Sequence, residues 1–113
     1  MNTTIAKYKL QSAFMGLAES QKRYLRSLGH QLKPVVTIGD GGLSESLLKE
    51  FSSTIDHHEL IKVKVRSGDR DTRDRLISEL CAKESSDLVA RIGNVALIYR
   101  RNKSKPKIPV PVV

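Results

Sequence analysis

The chain has 113 residues, of which 39% are hydrophobic and none is tryptophan. A domain of this length buries about two-thirds of its unfolded surface, so it folds without a metal or disulfide. Twenty basic and twelve acidic residues give a net charge of +8, which favours polyanionic partners. A single cysteine excludes an internal disulfide, and no apolar run is long enough for a membrane span or a signal peptide. A cytoplasmic protein without membrane contact is predicted.

The excess positive charge lies at the two ends of the chain. Residues 1–33 and residues 100–113 each carry a net charge of +5, whereas residues 34–99 carry −2. This asymmetry favours contact between the ends and a polyanion, although basic tails also serve solubility. We expect a flexible extension over residues 1–19, a folded domain over residues 20–100, and a basic, proline-containing tail outside the core over residues 101–113.

The first predicted helix has Ser20 as its N-cap and ends before Pro34. At about 100° per residue, four apolar residues share one arc of this helix and five basic residues share another. The apolar arc consists of Tyr24, Leu25, Leu28 and Leu32. The basic arc consists of Lys22, Arg23, Arg26, His30 and Lys33. We therefore expect a helix that packs by one side and offers cations on another.

A glycine-rich loop, Gly39–Gly42, connects a short β-branched strand over residues 35–38 to a second helix predicted from Ser44. Glycine tolerates positive φ and lets a ligand approach the backbone, and the N-terminus of a helix favours an anion. The loop is therefore a candidate phosphate cradle, or simply a tight turn that needs glycine. The carboxylate of Asp40 opposes phosphate contact, because like charges repel.

Residues 60–66 alternate strictly and predict a half-buried strand. The inner side carries Ile61, Val63 and Val65, and the outer side carries Lys62, Lys64 and Arg66. Asp69 or Asp71 can then cap a third helix. Its inward residues are Leu76, Ile77, Leu80 and Cys81.

Two final strands, over residues 88–92 and 95–100, flank Gly93-Asn94, a pair suited to a tight hairpin. The pairing puts Arg91 and Arg100 on the same side of the sheet. The element order is then α-β-α-β-α-β-β, which indicates an α/β domain of two layers with a four-stranded mixed sheet.

Enzyme signatures are not found in the sequence. A nucleotide-binding P-loop is excluded, because Leu43 rather than a Gly-Lys pair follows Gly42. The run His57-His58-Glu59 lacks the spacing that puts two metal ligands on one helical face. Cys81 lies on the apolar side of a helix, where a thiol acts as a small hydrophobe. We predict no catalytic residue, metal or cofactor; a small phosphoryl-handling enzyme is the least supported alternative.

Several segments, in order along residues 21–99, resemble those of YhbY-type CRM domains (chloroplast RNA splicing and ribosome maturation). They are Leu32–Val36, Ile38-Gly39-x-x-Gly42-Leu43, His58–Val65, Asp69–Asp71 and Ile92–Arg100. The resemblance implies a compact α/β RNA-binding domain, similar to the C-terminal domain of translation initiation factor three. It also implies that Gly39, Gly41 and Gly42 are RNA-loop positions and that the basic helix belongs to the RNA face. Asp40 departs from the basic or polar residue common there.

The resemblance also indicates partners. Free-standing bacterial members are associated with precursors of the large ribosomal subunit, and multi-domain plant members assist intron splicing. A single short copy is similar to the first type, so we expect a monomer that binds ribosomal RNA. The alternatives are an intron-splicing type of RNA binder and a ribosome-associated protein–protein adaptor; composition alone does not separate RNA from DNA. The predicted RNA-binding residues are Lys22, Arg23, Arg26, His30, Lys33, Gly39, Asp40, Gly41, Gly42, Lys62, Lys64, Arg66, Arg91 and Arg100.

Overall fold

A computed structural model describes residues 17–111, so most of the predicted N-terminal extension lies outside the described residues. Helices and strands alternate in the predicted order. They are α1 (Glu19–Gly29), β1 (Pro34–Ile38), α2 (Glu45–His58), β2 (Leu60–Val65), α3 (Arg70–Lys83), β3 (Asp87–Ile92) and β4 (Val95–Tyr99). In residues 17–111, no helix combines the length and the apolar composition needed to cross a membrane.

The four strands form one mixed sheet in the order β1-β2-β4-β3. β1 is parallel to β2, whereas β4 is antiparallel to both β2 and β3. Helices α2 and α3 pack on one face of this sheet and α1 packs on the other. The domain therefore has three layers rather than the predicted two, because β2 and β4 carry apolar residues on both faces.

The larger core lies between the sheet and helices α2 and α3. Its fully buried residues come from both helices and from the sheet: Phe51 and Ile55 from α2, Leu80 from α3, and Val63 and Ile98 from the strands. Ser44 caps α2, because its hydroxyl accepts the Leu47 N–H at 3.2 Å, as predicted for this boundary.

The smaller core lies between the sheet and α1. Leu25 of α1 is fully buried there against residues that include Leu97 of β4. A Cβ at Gly29 would stand 2.6 Å from a Leu97 methyl carbon, so any larger residue there would displace the Leu97 side chain or the end of α1. This contact sets the position of α1 over β2 and β4.

The ends of α1 and β1 differ from the sequence predictions. The N-cap of α1 is Ala18 rather than Ser20, and the Gln21 side chain accepts the Ala18 N–H at 3.0 Å. The helix ends at Gly29, so Leu32 lies beyond it and is exposed. β1 is half-buried, because it is an edge strand that α1 does not cover.

The C-terminal tail packs on the domain, although the sequence predicted that it stays outside the core. Ile108 and Val110 contact the smaller core, and the Pro111 carbonyl accepts a hydrogen bond from Gln21 at 2.8 Å. The carboxylate of Glu59 is fully buried and holds this segment. It accepts the backbone N–H groups of Asn102, Lys107 and Ile108 at 2.6–2.7 Å.

Candidate nucleic-acid interface

Cations from α1 and β2 gather on the α1 side of the sheet. Lys62 and Lys64 stand opposite Leu97 and Val95 of β4, and strand alternation directs them to the face that α1 partly covers. At about 100° per residue, Lys22, Arg23 and Arg26 of α1 lie along one flank and the outer side of the helix. His30 and Lys33, which the sequence predicted on this helix, follow its last residue, Gly29. We call this surface the basic face. Its members are Lys22, Arg23, Arg26, His30, Lys33, Lys62 and Lys64.

A shallow groove joins the two sources of positive charge. Arg26 of α1 and His30, which directly follows the helix, line one wall, and Lys62 belongs to the floor. Ile92 of β3 and Val95 of β4 complete the lining on the hairpin side. Its volume of about 50 Å³ is too small for a nucleobase.

Most cations of the basic face have no partner within residues 17–111. No hydrogen bond or ion pair there involves the side chains of Lys62, Lys64 or Lys33. Arg26 contacts Glu19 at 3.3 Å, but both side chains are exposed and such pairs are weak. These charges are therefore available to an external anion.

One carboxylate, Asp87 of β3, lies close enough to the basic face to interact with Lys22. Burial raises the pKa of Asp87 to about 6, and the positive charge of Lys22 opposes this shift. Above that pH the carboxylate is ionised and offsets part of the Lys22 charge. The positive potential is therefore weaker near Lys22 than near Lys62.

The glycine loop lies at the end of the sheet where β1 and β2 finish. The Gly42 N–H donates to the Gly39 carbonyl at 3.0 Å and closes a turn, and Gly42 has a φ of 62°. A Cβ at Gly39 or Gly41 would meet nothing within 4 Å, so the outer side of the turn is open. Asp40 and Glu45 bring negative charge to both sides of it.

Arg66 supplies positive charge beside the loop. Its backbone N–H donates to the Ile38 carbonyl at 2.9 Å, which places it next to Gly39. Its side chain is exposed and makes no contact with another charged group within residues 17–111. The loop and Arg66 thus lie at one end of β2, whose Lys64 belongs to the basic face.

Arg91 and Arg100 lie on the same side of the sheet as each other, but this is the α2–α3 side. Arg91 forms an ion pair with Asp74 of α3 and donates to the Gly93 carbonyl at 3.0 Å. Arg100 donates to Asp56 at 2.8 Å and to Glu84 at 3.1 Å. The structure therefore does not join these two arginines to the other predicted site residues.

Ile92 is the residue of this surface that the sequence prediction missed. Its side chain is 72% exposed on β3, beside the cations of α1. A bulge between Leu88 and Ala90 shifts the register of β3. The sequence therefore did not indicate which face of the sheet Ile92 occupies, because simple alternation along the strand breaks at the bulge.

The groups considered for chemistry form no reactive arrangement in the described part of the chain. Burial, with a contribution from Asp87, raises the pKa of the Cys81 thiol to about 11, so the thiol stays protonated at neutral pH. The rings of His57 and His58 contact each other edge to face. The Glu59 carboxylate accepts backbone hydrogen bonds from the C-terminal tail. Residues 17–111 contain no group of three metal-ligating side chains placed to hold an ion.

Comparison with known proteins agrees on one family. Residues 17–100 match the CRS1 / YhbY (CRM) domain. The chain is 46% identical over 93 residues to "Probable RNA-binding protein PA4753" of Pseudomonas aeruginosa, covering 82% of this chain and 89% of that protein. It is 39% identical over 95 residues to an "RNA-binding protein" of Haemophilus influenzae, covering 84% and 95% respectively. The solution structure of Staphylococcus aureus SAV1595 superposes with a TM-score of 0.73 at 40% identity, covering 84% of this chain and 99% of that one.

Proposed function

The chain belongs to the CRS1 / YhbY (CRM) domain family, and we propose that it binds RNA through the basic face. The RNA is ribosomal RNA in precursors of the large subunit, and the role is to assist ribosome assembly. Both curated relatives compared above are named for RNA binding and neither for a reaction. The chain is accordingly a non-catalytic member of the family. The proposal places it in the cytoplasm as a monomer.

The observation that carries this proposal is the gathering of cations from two parts of the chain on one surface. Lys62 and Lys64 of β2 have no partner within residues 17–111, and Arg26 of α1 and the following His30 line the same groove as Lys62. A surface that neutralises several phosphates releases their counterions, which supplies most of the non-specific affinity for nucleic acid. In this proposal the sugar–phosphate chain runs along the groove between these cations.

Within residues 17–111, the scarcity of exposed aromatic side chains favours structured RNA over unpaired strands. Phe51 is fully buried in the larger core, and Tyr99 is buried in the smaller one. Tyr24 packs against the smaller core as well. Proteins that bind single strands stack bases on exposed aromatic rings, whereas double-stranded RNA is recognised through its shape and backbone. Ribosomal RNA offers such helical segments.

The glycine loop contributes a backbone contact in this proposal. Gly41 has open space where a Cβ would stand, so Gly41→Asp keeps the turn and adds a negative charge. We expect Gly41→Asp to weaken RNA binding and Gly41→Ala to leave it nearly unchanged. Equal, unchanged affinities in a filter-binding titration of the two folded variants would remove the loop from the interface.

The test of the function is a charge reversal with a matched control. Lys64→Glu removes a cation of the basic face, whereas Lys49→Glu removes an exposed cation of α2 that is already paired with Glu45. Both variants change the net charge equally. We measure the affinity of each for in-vitro transcribed fragments of large-subunit ribosomal RNA at fixed salt.

The proposal predicts that Lys64→Glu loses about tenfold in affinity, the effect of about one lost phosphate contact, while Lys49→Glu changes it far less. Equal losses in both variants would show that net charge alone attracts RNA. Absence of RNA binding by the wild type at low salt would contradict the function and favour a protein–protein adaptor.

A further inference from the structure

A second basic groove lies on the opposite side of the sheet from the basic face, between α3 and β3. It has a volume of about 560 Å³, within the usual range of ligand sites. Three arginines line it: Arg70 and Arg73 from the first turns of α3, and Arg91 from β3. We call it the arginine groove. The other lining residues are Asp74, Ile77, Ser78, Leu88 and Gly93.

The three guanidinium groups have unused donors. Arg70 is exposed and makes no hydrogen bond or ion pair within residues 17–111. Arg73 donates from Nη1 to the Ser67 carbonyl at 2.8 Å, but its Nε is buried without a partner. The Nε of Arg91 is buried and unpartnered as well. The exposed guanidinium of Arg70 is directly open to an anion in the groove, whereas the two buried Nε groups gain an acceptor only when their side chains move toward it.

The charges lining the groove leave a positive excess. Asp74 is the one carboxylate among the lining residues, and it pairs with Arg91. This pair holds the Arg91 side chain across the groove, and the Gly93 carbonyl accepts from the same guanidinium at 3.0 Å. Arg70 is not compensated by any lining residue, and Arg73 interacts electrostatically with Asp69, which lies outside the lining at the N-cap of α3. The groove therefore attracts an anion and holds one of its arginines in a fixed orientation.

The remainder of the lining is apolar. Ile77 forms part of the floor, and Leu88 is a large hydrophobic residue that is 37% exposed. Planar guanidinium groups bind phosphate through two parallel hydrogen bonds and also stack on aromatic rings. Positive charge beside an apolar floor matches a nucleotide, which has a phosphate and a base, better than it matches an acidic side chain.

We propose that the arginine groove binds a phosphodiester of RNA, as a second contact distinct from the basic face. This inference rests on the proposed function, because it assigns a further surface to the same RNA partner. The two surfaces lie on opposite sides of the sheet. One domain then holds two segments of a folded RNA, which a single surface does not do.

The test compares two arginines of α3. Arg70→Glu reverses a charge in the groove at the first residue of α3, where a carboxylate also suits the helix dipole, so folding is preserved. Arg75→Glu is the matched control, because Arg75 is exposed on the same helix, pairs with Glu79 at 3.3 Å and does not line the groove. The probe is a hairpin RNA with a single-stranded extension, titrated by filter binding at several salt concentrations.

We expect Arg70→Glu to weaken RNA binding about tenfold and to lower the slope of log K against log salt by about one, the value for one phosphate contact. We expect a much smaller effect of Arg75→Glu. The Nε–H resonances of Arg73 and Arg91 shift when the same RNA is added to labelled wild-type protein. Equal effects of the two variants, or resonances that respond to a polyglutamate peptide and not to RNA, would overturn the inference.

A third variant separates this inference from the function on which it rests. Lys62→Glu/Lys64→Glu reverses two charges on the basic face and leaves the arginine groove unchanged. A loss of binding with this variant and none with Arg70→Glu contradicts the groove and retains the basic face. If neither variant loses RNA affinity, the result contradicts both the basic face and the arginine groove as RNA-binding surfaces.

Discussion

Strand cations on the two sides of the sheet differ in what surrounds them. Lys62 and Lys64 project to the α1 side, where no carboxylate within residues 17–111 pairs with them. Arg100 follows β4 on the other side and donates to Glu84, to Asp56 and to the carbonyl and hydroxyl of Ser52 at 2.8–3.2 Å. Its side chain is 18% exposed.

The difference follows from how far helices cover each face. α2 and α3 cover their side of the sheet, so a charged group there loses water and needs protein partners. α1 covers only part of the other side. It ends at Gly29 and leaves β1 and the C-terminal end of β2, with Lys64, uncovered. Arg100 on the covered side therefore holds the fold together, whereas Lys62 and Lys64 on the open side are free to bind.

The largest expected effect breaks the attachment of the tail to the α1 side. Glu59→Gln keeps the length of the side chain but replaces an oxygen acceptor with an amide donor against three backbone N–H groups. We expect the free energy of unfolding to fall by about 3 kcal/mol, because buried donors lose their acceptor. Urea denaturation measures the loss, and faster amide exchange at Lys107 and Ile108 locates it.

The matched control for this change is Glu79→Gln. Glu79 is an exposed member of the pair with Arg75, and such pairs contribute less than about 1 kcal/mol. If the two glutamine variants unfold at the same urea concentration, the buried carboxylate does not anchor the tail.

An intermediate effect is expected at Arg100. Arg100→Lys retains the charge but cannot reach acceptors on both α2 and the end of α3 with one ammonium group. We expect a loss of about 2 kcal/mol in stability and little change in RNA affinity. Lys64→Gln, on the open side, has the opposite profile: unchanged stability and weaker RNA binding. An Arg100→Lys variant that remains stable but loses RNA affinity would erase the distinction between the two sides.

The smallest expected effect concerns Asp87, the carboxylate that acts on the basic face through Lys22. Burial raises the pKa of the folded-state carboxyl to about 6, whereas an unfolded aspartate titrates near about 4. Between these values the folded state binds more protons than the unfolded state. The contribution of this group to stability is therefore full below about pH 4 and falls as the pH rises to about 6.

Asp87→Asn removes the loss of stability that the ionisation of Asp87 causes as the pH rises. After allowance for solvent screening we expect the variant to be about 1 kcal/mol more stable than wild type at pH 7.5 and no more stable at pH 4. It also frees the charge of Lys22, so RNA binds slightly more tightly. Parallel stability curves for the two proteins between pH 4 and pH 7 would contradict the shifted pKa.

The order of elements, the mixed sheet and the outer row of Lys62 and Lys64 were predictable, because hydrophobic periodicity identifies helices, strands and their faces. The caps at Ser44 and Asp69 followed from local chemistry in the same way. Periodicity also put Arg91 and Arg100 on one side of the sheet. It did not reveal which side, because that depends on where the helices pack.

The number of layers and the packing of the tail depend on contacts between distant residues. The sequence indicates only that Glu59 lies at the end of a helix, yet its carboxylate accepts backbone N–H groups more than forty residues away. The position of α1 on the sheet depends on the contact between Gly29 and Leu97, which no local sequence pattern indicates. Such long-range contacts determine which cations remain free, so the candidate site was only partly predictable.

We infer that Lys62 and Lys64 on the α1 side contact RNA phosphates, whereas Arg100 on the other side of the sheet does not. The most direct measurement is the salt dependence of affinity for one large-subunit ribosomal RNA fragment. The account predicts that Lys62→Gln/Lys64→Gln lowers the slope of log K against log salt by about two phosphates, while Arg100→Gln leaves it at the wild-type value. An unchanged slope for the lysine variant, or an equal reduction by Arg100→Gln, would contradict it.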